Sequence, residues 1–449
     1  MRGILINLGK MLLAVLIAGL MSPANIFADS PIWAPTALAD LINEGLVQNK
    51  EIQSLEAQME GLKEEVPFAG ALDDPRLGLA ILNLPTDSFS FNQEPMTQKQ
   101  ISIAQKIPWF GKLDLHSKRA TVKVIRQKAI LEAKRLELAK EIANTYYELG
   151  FVGSSLKTNK RLTEIVNQLL RVAETRYATG RGLQQDVLQA QVELSKLLNE
   201  KITIEKRRRT LTDRINGLLN RDSFMIVEPP SDLEMISLKL NTEKLSSQAL
   251  QKNPQLRIKQ TEIDTAQIEI ELAKKDYWPD MDFKFAYGQR DEDRTGRSLP
   301  DFVSGQVVMN IPLWQKTRQN PKLAATLKAR EAAEKSFRSL SKSLPYRVDA
   351  IVTEIRDTQR NYKLFTDVLL LQADQLARSS QAAYQVGSLE FNTMLNAQIR
   401  LLHFELQADN YLFEIYRKRA ELEEVLGGPA QLSTTGDNVI TDPVSAGNQ

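Results

Sequence analysis

The chain has 449 residues, with 58 Lys+Arg against 56 Asp+Glu, two His and no Cys. The absence of Cys excludes disulfides, thiolate metal sites and a lipidated N-terminal Cys, and the near-neutral charge gives no support for a nucleic-acid partner. No Gly-rich phosphate loop, Ser/His/Asp constellation or paired-His metal motif occurs, so the chain reads as a non-enzyme with no cofactor and no metal site.

Residues 1–28 read as a signal peptide. Arg2 and Lys10 supply the charged region, Met11 to Met21 the apolar core, and Ala28 a small residue for cleavage. Removing those two basic residues takes 58 Lys+Arg to 56, equal to the 56 acids. No later apolar run reaches the roughly 20 residues of a spanning helix, so the mature chain can enter a membrane only by strands.

Residues 29–220 form a first structural repeat. A helical pattern over 37–66 turns near Asn49. A β-hairpin follows over about 75–107, its second strand placing Ile101, Ile103 and Ile107 on one face and Ser102, Ala104 and Lys106 on the other. A helical hairpin spans about 113–219, with a bend at 177–183. Its first arm carries a seam spaced alternately by three and four residues (Ala129, Glu132, Leu136, Ala139, Ala143, Tyr146, Gly150), the signature of coiled-coil packing. Residues 221–241, with Pro229-Pro230, read as a linker packed on the outside of the helices.

Residues 242–428 form a second repeat. A helix covers 245–273 and a β-hairpin covers about 280–313. Met281, Phe283, Phe285 and Tyr287 alternate with Asp282, Lys284 and Ala286, and a fourth strand covers 303–313. A helical hairpin spans about 318–426 with a bend at 384–389, and Pro345 is expected to kink its first arm. Residues 429–449, rich in Ser, Thr, Gly, Asn and Pro, read as a disordered tail.

The repeats are internal copies. Asn253 follows Asn49 by 204 positions, and Ile311-Pro312 to Lys316 follows Ile107-Pro108 to Lys112 by the same offset. The bends, Tyr177-Ala178-Thr179-Gly180 and Tyr384-Gln385-Val386-Gly387, are 207 apart, as are ten seam positions of the returning helices. Gly supplies the positive φ that closes each helix. The fold class expected is mainly α with a small β part. Alternating strands suit a sheet with lipid on one face and water on the other, and Trp109, Trp278 and Trp314 fall at strand–helix junctions, where an aromatic girdle lies. Four strands cannot close a barrel and an open edge cannot face lipid, so several chains must share one barrel.

The signal peptide, the duplicated halves, Ile-Pro-x-x-x-Lys after each hairpin and Tyr-x-x-Gly at each bend together resemble the TolC-type outer-membrane factor family over nearly all of 37–428. That resemblance implies a homotrimer in which twelve strands form an outer-membrane β-barrel and the helical hairpins an α-barrel across the periplasm. It implies a periplasmic adaptor and an inner-membrane transporter of the RND type as partners, with outer-membrane lipid around the strands. It places the gate and adaptor contact at the bends, on Tyr177, Gly180, Arg181, Asp186, Tyr384, Gly387, Thr393 and Asn396, and the membrane-interface girdle on Trp109, Phe110, Trp278 and Trp314. The basic and two acidic residues that the best-known members carry at the second bend are replaced here by Leu389, Thr393 and Asn396. The stretch Ser90 to Gln100, continuing into Ile107 to Lys112, is similar to the heavy-metal efflux (CusC- and CzcC-like) branch. The function this implies is a passive exit duct, for heavy-metal ions, with drug efflux and type I protein secretion as alternatives. A periplasmic adaptor lacks its Gly-rich β domain here, and a coiled-coil tether leaves the strand hairpins unexplained.

Overall fold

The computed structural model describes residues 36–223, 225–230, 233–235 and 240–430; the signal-peptide reading and all but the first two residues of the tail lie outside them. Helices α1 (Thr36–Gln48) and α2 (Lys50–Gly70) lead into β1 (Arg76–Leu82) and β2 (Gln98–Ile107). The long α3 (Lys112–Ala178) turns back as α4 (Gln184–Leu218). The second half repeats the order: α5 (Thr242–Lys252), α6 (Pro254–Lys275), β3 (Met281–Gln289), β4 (Phe302–Met309), α7 (Gln319–Leu364), a π turn (Phe365–Leu369), α8 (Leu370–Gln385) and α9 (Phe391–Leu426).

The repeated residues do repeated jobs. The Asn49 carboxamide oxygen caps α2 by accepting from the N–H of Glu51 (3.0 Å) and Ile52 (3.2 Å), while its Nδ2 donates to the Leu218 carbonyl at 3.1 Å. Asn253 caps α6 through Gln255 (2.9 Å) and Leu256 (3.2 Å), and donates to the Val425 carbonyl at 2.8 Å. One side chain thus starts a helix and ties it to the end of the returning arm, twice. The run α7–π turn–α8 has 67 residues (46, 5 and 16), the same as α3. At 1.5 Å per residue each spans about 100 Å.

The offset therefore changes inside the strand–helix junction. The motif lysines are 204 apart, but Lys112 and Gln319, which open α3 and α7, are 207 apart. The three added residues fall between β4 and α7. In the same region β4 stops at Met309, short of the expected 313. Pro312 has no N–H to give a ladder, and the Asn310 carboxamide turns to accept from the Asp280 N–H at 2.5 Å. Pro345 lies inside α7 without ending it. The irregular turn is at Phe365–Leu369 instead, where Thr366 Oγ1 donates to the Tyr362 carbonyl at 3.1 Å and Phe365 packs edge-on against Phe404 and Tyr411.

Three buried clusters hold the helices. One joins α1, α2, α3, α4 and α9 around Ile142, Tyr147, Ile215 and Phe413; a second joins α5, α7 and α9 around Val348, Val352, Ile355 and Leu426; a third lies near the bends. The linker packs on the first: Val227 is buried within it, and Pro229 and Pro230 lie over Gly153 and Gly150. A Cβ on Gly150 would stand 2.4 Å from Phe413 Cε1 and 2.6 Å from Pro230 Cγ. Gly150→Ala is expected to destabilise the chain by about 1–3 kcal/mol through overpacking, read as a shift in the denaturant midpoint.

Candidate functional site

The four strands form one antiparallel sheet in the order β1-β2-β3-β4. The register sets Leu77, Ile103, Phe285 and Gly305 in one row and Leu79, Ile101, Tyr287 and Val303 in the next. These side chains share one face, and Leu77, Leu79, Ile101, Ile103, Phe285, Tyr287 and Val303 are all exposed on it. The opposite face carries Arg76, Gln100, Ser102, Lys106, Asp282, Lys284 and Gln306, with Arg76 paired to Asp282. An apolar face left open to the surroundings, backed by a polar one, is the pattern of a lipid-facing barrel wall. Among the described residues no helix is long and apolar enough to cross a membrane.

At the base of this sheet the two repeats are locked by charge. The Lys112 ammonium, nearly buried, sits 3.0 Å from Asp280 Oδ1 and 3.2 Å from Asp276 Oδ1. Asp280 Oδ1 also accepts from the Trp109 N–H at 2.8 Å, and Asp276 Oδ2 lies 2.5 Å from Lys322 Nζ. Burial opposes ionisation of Asp276, but the Lys322 and Lys112 ammonium groups hold its carboxyl below the usual range. Trp109 and Trp278 stack face to face, centroids 4.9 Å apart and planes 9° off parallel. Phe110 meets Trp109 edge-on and is itself exposed, as is Trp314 across the β4–α7 segment. Of the expected girdle residues, Trp109, Phe110 and Trp278 thus touch one another, with Trp109 and Trp278 stacked as a pair.

The bends lie at the far end of α3 and α8. Each closes by the same hydrogen bonds. Gly180 N–H donates to Tyr177 O at 3.0 Å and Arg181 N–H to Arg176 O at 2.8 Å; Gly387 N–H donates to Tyr384 O and Ser388 N–H to Ala383 O, both at 3.0 Å. The glycines adopt φ of 68° and 79°, which a Cβ would strain. The two tyrosines differ. Tyr384 is 6% exposed and packs edge-on against Phe391, whereas Tyr177 is 50% exposed.

Arg176 explains the difference. Its Nη1 donates to the Tyr384 carbonyl at 2.8 Å, and its guanidinium lies 4.7 Å from the Tyr384 ring centre. Burial raises the Tyr384 hydroxyl pKa, the Arg176 charge lowers it and the Asp186 charge raises it again. Asp186 itself lies half-buried in the first turn of α4. Arg181 is exposed and forms no ion pair with Asp186 or any other described residue. Thr393 and Asn396 lie exposed on α9, where Asn396 Nδ2 reaches only Asn392 at 3.2 Å. The sequence reading did not include Arg176. The signal was a cation beside Tyr177 whose repeat counterpart, 207 positions on, is Ala383. Replacing Arg181 with Ala is expected to leave single-channel conductance unchanged, since its side chain makes no ion pair or hydrogen bond among the described residues.

The model of the outer membrane efflux protein family matches residues 41–221 and again 245–428, one match per repeat. A curated relative, toxin and drug export protein A of Aggregatibacter actinomycetemcomitans, is 20% identical over 300 residues, covering 63% of this chain and 64% of the relative's length. Among solved structures, the outer membrane protein VceC of Vibrio cholerae is 19% identical with a TM-score of 0.74, over 87% of this chain and 96% of that one. The CmeC outer membrane channel of Campylobacter jejuni is 12% identical with a TM-score of 0.70, over 88% and 86%. CusC is 15% identical with a TM-score of 0.67, over 88% and 93%. At such identities these structures speak for the fold. With the family model matched over both repeats, the chain belongs to the outer membrane efflux protein family, a family of outer-membrane channels and not of enzymes.

Proposed function

We propose that three copies of this chain form the outer-membrane exit duct of a tripartite export system. The observation that carries this reading is the four-stranded sheet, apolar and exposed on one face and polar on the other, continued by paired helices of about 100 Å. Three such sheets give a twelve-stranded barrel, with the α3–α4 and α7–α9 hairpins as a helical tube below it. Trp109, Phe110, Trp278 and Trp314 then sit at the membrane interface, and the two bends form the periplasmic tip. Tyr177, Gly180, Arg181, Asp186, Tyr384, Gly387, Thr393 and Asn396 line that tip, where an adaptor docks and opening occurs.

The duct is passive: a pump of the RND type in the inner membrane supplies the energy, and the adaptor bridges the two. Heavy-metal ions are the proposed cargo, on the strength of the resemblance in 90–112. Among the described residues no group of three His, Cys, Asp or Glu is placed to hold a metal ion. Drug or toxin export is the second reading, favoured by the name of the curated relative.

Two measurements test the proposal. Membrane fractionation and native mass in detergent should give a trimer from the outer membrane; a monomer in the soluble periplasmic fraction sinks the duct. A deletion strain should become sensitive to copper, zinc or silver; sensitivity to drugs alone would replace the metal reading with the second.

A further inference from the structure

We infer that Lys284 and Lys106 build a basic belt on the inner wall of the exit barrel, and that this belt favours anionic solutes over cations. The inference rests on the oligomeric duct proposed above and adds the charge class of what leaves through it.

The strand register places the charges. Within the strands, the polar face of the sheet carries Arg76, Lys106, Asp282 and Lys284. The apolar face carries only Lys99, at the loop end, where it pairs with Asp291 at 2.9 Å. With the apolar face toward lipid, the polar face lines a water-filled lumen. One row across the sheet reads Arg76, Ala104, Lys284 and Gln306, and it contains no acid. The next row toward the helices reads Lys106, Asp282 and Val308. The two rows on the loop side, through Ser102 and Gln100, hold no charge.

Pairing decides the sign of the belt. Asp282 is committed to Arg76, and Asp280, just before β3, is committed to Lys112. Asp73 and Asp74 precede β1 and make no ion pair with Lys106 or Lys284. Neither lysine side chain makes an ion pair or hydrogen bond among the described residues. Lys106 is exposed and Lys284 half-buried, so both ammonium groups keep contact with water and stay charged. Three copies then set three unpaired Lys284 groups at one level, with three Lys106 groups about 7 Å nearer the helices.

The size of the lumen lets these charges act on what passes. Twelve strands tilted by about 40° close a barrel about 24 Å across between backbones. Four-carbon lysine stems reaching in from opposite walls leave about 12 Å between them. The Debye length is about 10 Å at 0.1 M salt, so the field of the belt extends across the opening instead of hugging the wall. An anion entering from the helical tube is drawn in, and a bare cation is held back. A metal carried in an anionic complex therefore passes more readily than the free ion.

The chain has no Cys, so one introduced thiol can report the potential at the belt. Gln306 pairs directly with Lys284 and is exposed on the same face. In the purified full-length oligomer carrying Gln306→Cys, modification rates are compared for an anionic sulfonatoethyl and a cationic trimethylammonioethyl methanethiosulfonate. In each reaction the thiolate attacks the reagent's sulfenyl sulfur, a disulfide forms and methanesulfinate leaves. The ratio of the two rates, normalised to the same ratio for 2-mercaptoethanol, cancels the thiolate fraction. At low salt it should favour the anionic reagent. Adding Lys284→Gln should lower it about fivefold, the factor that one unit charge about 8 Å away in water gives between reagents two charges apart. Lys106→Gln, one row away, should lower it less. At 1 M salt, where the Debye length is about 3 Å, the preference should vanish. If the protein is a trimer, a ratio of one or below at low salt, a ratio unmoved by Lys284→Gln, or a preference that survives 1 M salt overturns the belt and leaves the duct standing. A trimer in which neither reagent reaches Gln306→Cys overturns the placing of this face in the lumen, and the belt with it. A monomeric native mass removes the duct reading itself.

Discussion

Replacing Asp280 with Ala is expected to cost about 3–5 kcal/mol and to strip the chain of its folded sheet–helix junction. Asp280 Oδ1 is the shared acceptor for the Lys112 ammonium at 3.0 Å and the Trp109 N–H at 2.8 Å. The Lys112 side chain is only 10% exposed. Without Asp280 its charge stays buried with one neighbour, Asp276, whose second oxygen is already committed to Lys322. Removing one partner of a buried pair costs more than the pair contributes, because the remaining charge is left without compensation. Asp280→Asn keeps an acceptor for the Trp109 N–H and loses the charge, so it should fall between wild type and Ala. The Trp109–Trp278 stack reports on the same place, and unfolding followed by tryptophan fluorescence in detergent measures the effect. A loss below about 1 kcal/mol for Asp280→Ala would mean that water reaches Lys112 freely. Acid should act in the same direction. The Asp276 pKa is held below its ordinary value, so its contribution is present above about pH 4 and is lost as the pH falls through the lowered value.

Much of this architecture is legible in residues because the same local chemistry is used twice. An Asn that caps one helix and ties down another, and a Gly that must take positive φ, can be done by few other side chains, so they recur at fixed offsets. Strand alternation was equally readable, since a one-residue slip would turn every apolar side chain to the wrong face. What did not show was where the copies differ. The three residues added between β4 and α7 hide behind a matching Ile-Pro-x-x-x-Lys, and only the helix starts at Lys112 and Gln319 reveal them. The π turn at Phe365–Leu369 depends on aromatic packing across to Phe404 and Tyr411, contacts between positions distant in sequence. Arg176 was missed for the same reason. Its partner is 208 residues away, and its role is visible only once the two bends are side by side.

Arg176→Ala is expected to loosen the two bends from each other and to raise the open fraction of the channel on the order of tenfold or more. A hydrogen bond from a charged donor is worth about 1.5–3 kcal/mol, and a partly exposed cation over an aromatic ring about 0.5–1 kcal/mol. Arg176 makes both to one residue, the Tyr384 carbonyl and the Tyr384 ring. It is part-buried, which favours the lower end, about 2 kcal/mol in all, and 1.4 kcal/mol already changes a two-state ratio tenfold. The contact joins α3, ending in the first bend, to α8, ending in the second, so any opening that separates the hairpins must break it. Beneath it the apolar cluster of Ala173, Ala190, Phe391, Met394 and Leu395 spans both hairpins and keeps the tip folded when Arg176 is gone. The expected record is therefore an intact oligomer of larger or more frequent conductance in a planar bilayer. Arg176→Lys, which keeps a charge over the ring but loses the fork, should lie between Ala and wild type. Arg181→Ala, five residues on, loses no ion pair among the described residues of the chain, so it separates the contact between the two bends from a general loss of charge at the tip. If Arg176→Ala and Arg181→Ala conduct alike at the wild-type level, closure is held between copies and not between the two bends of one chain.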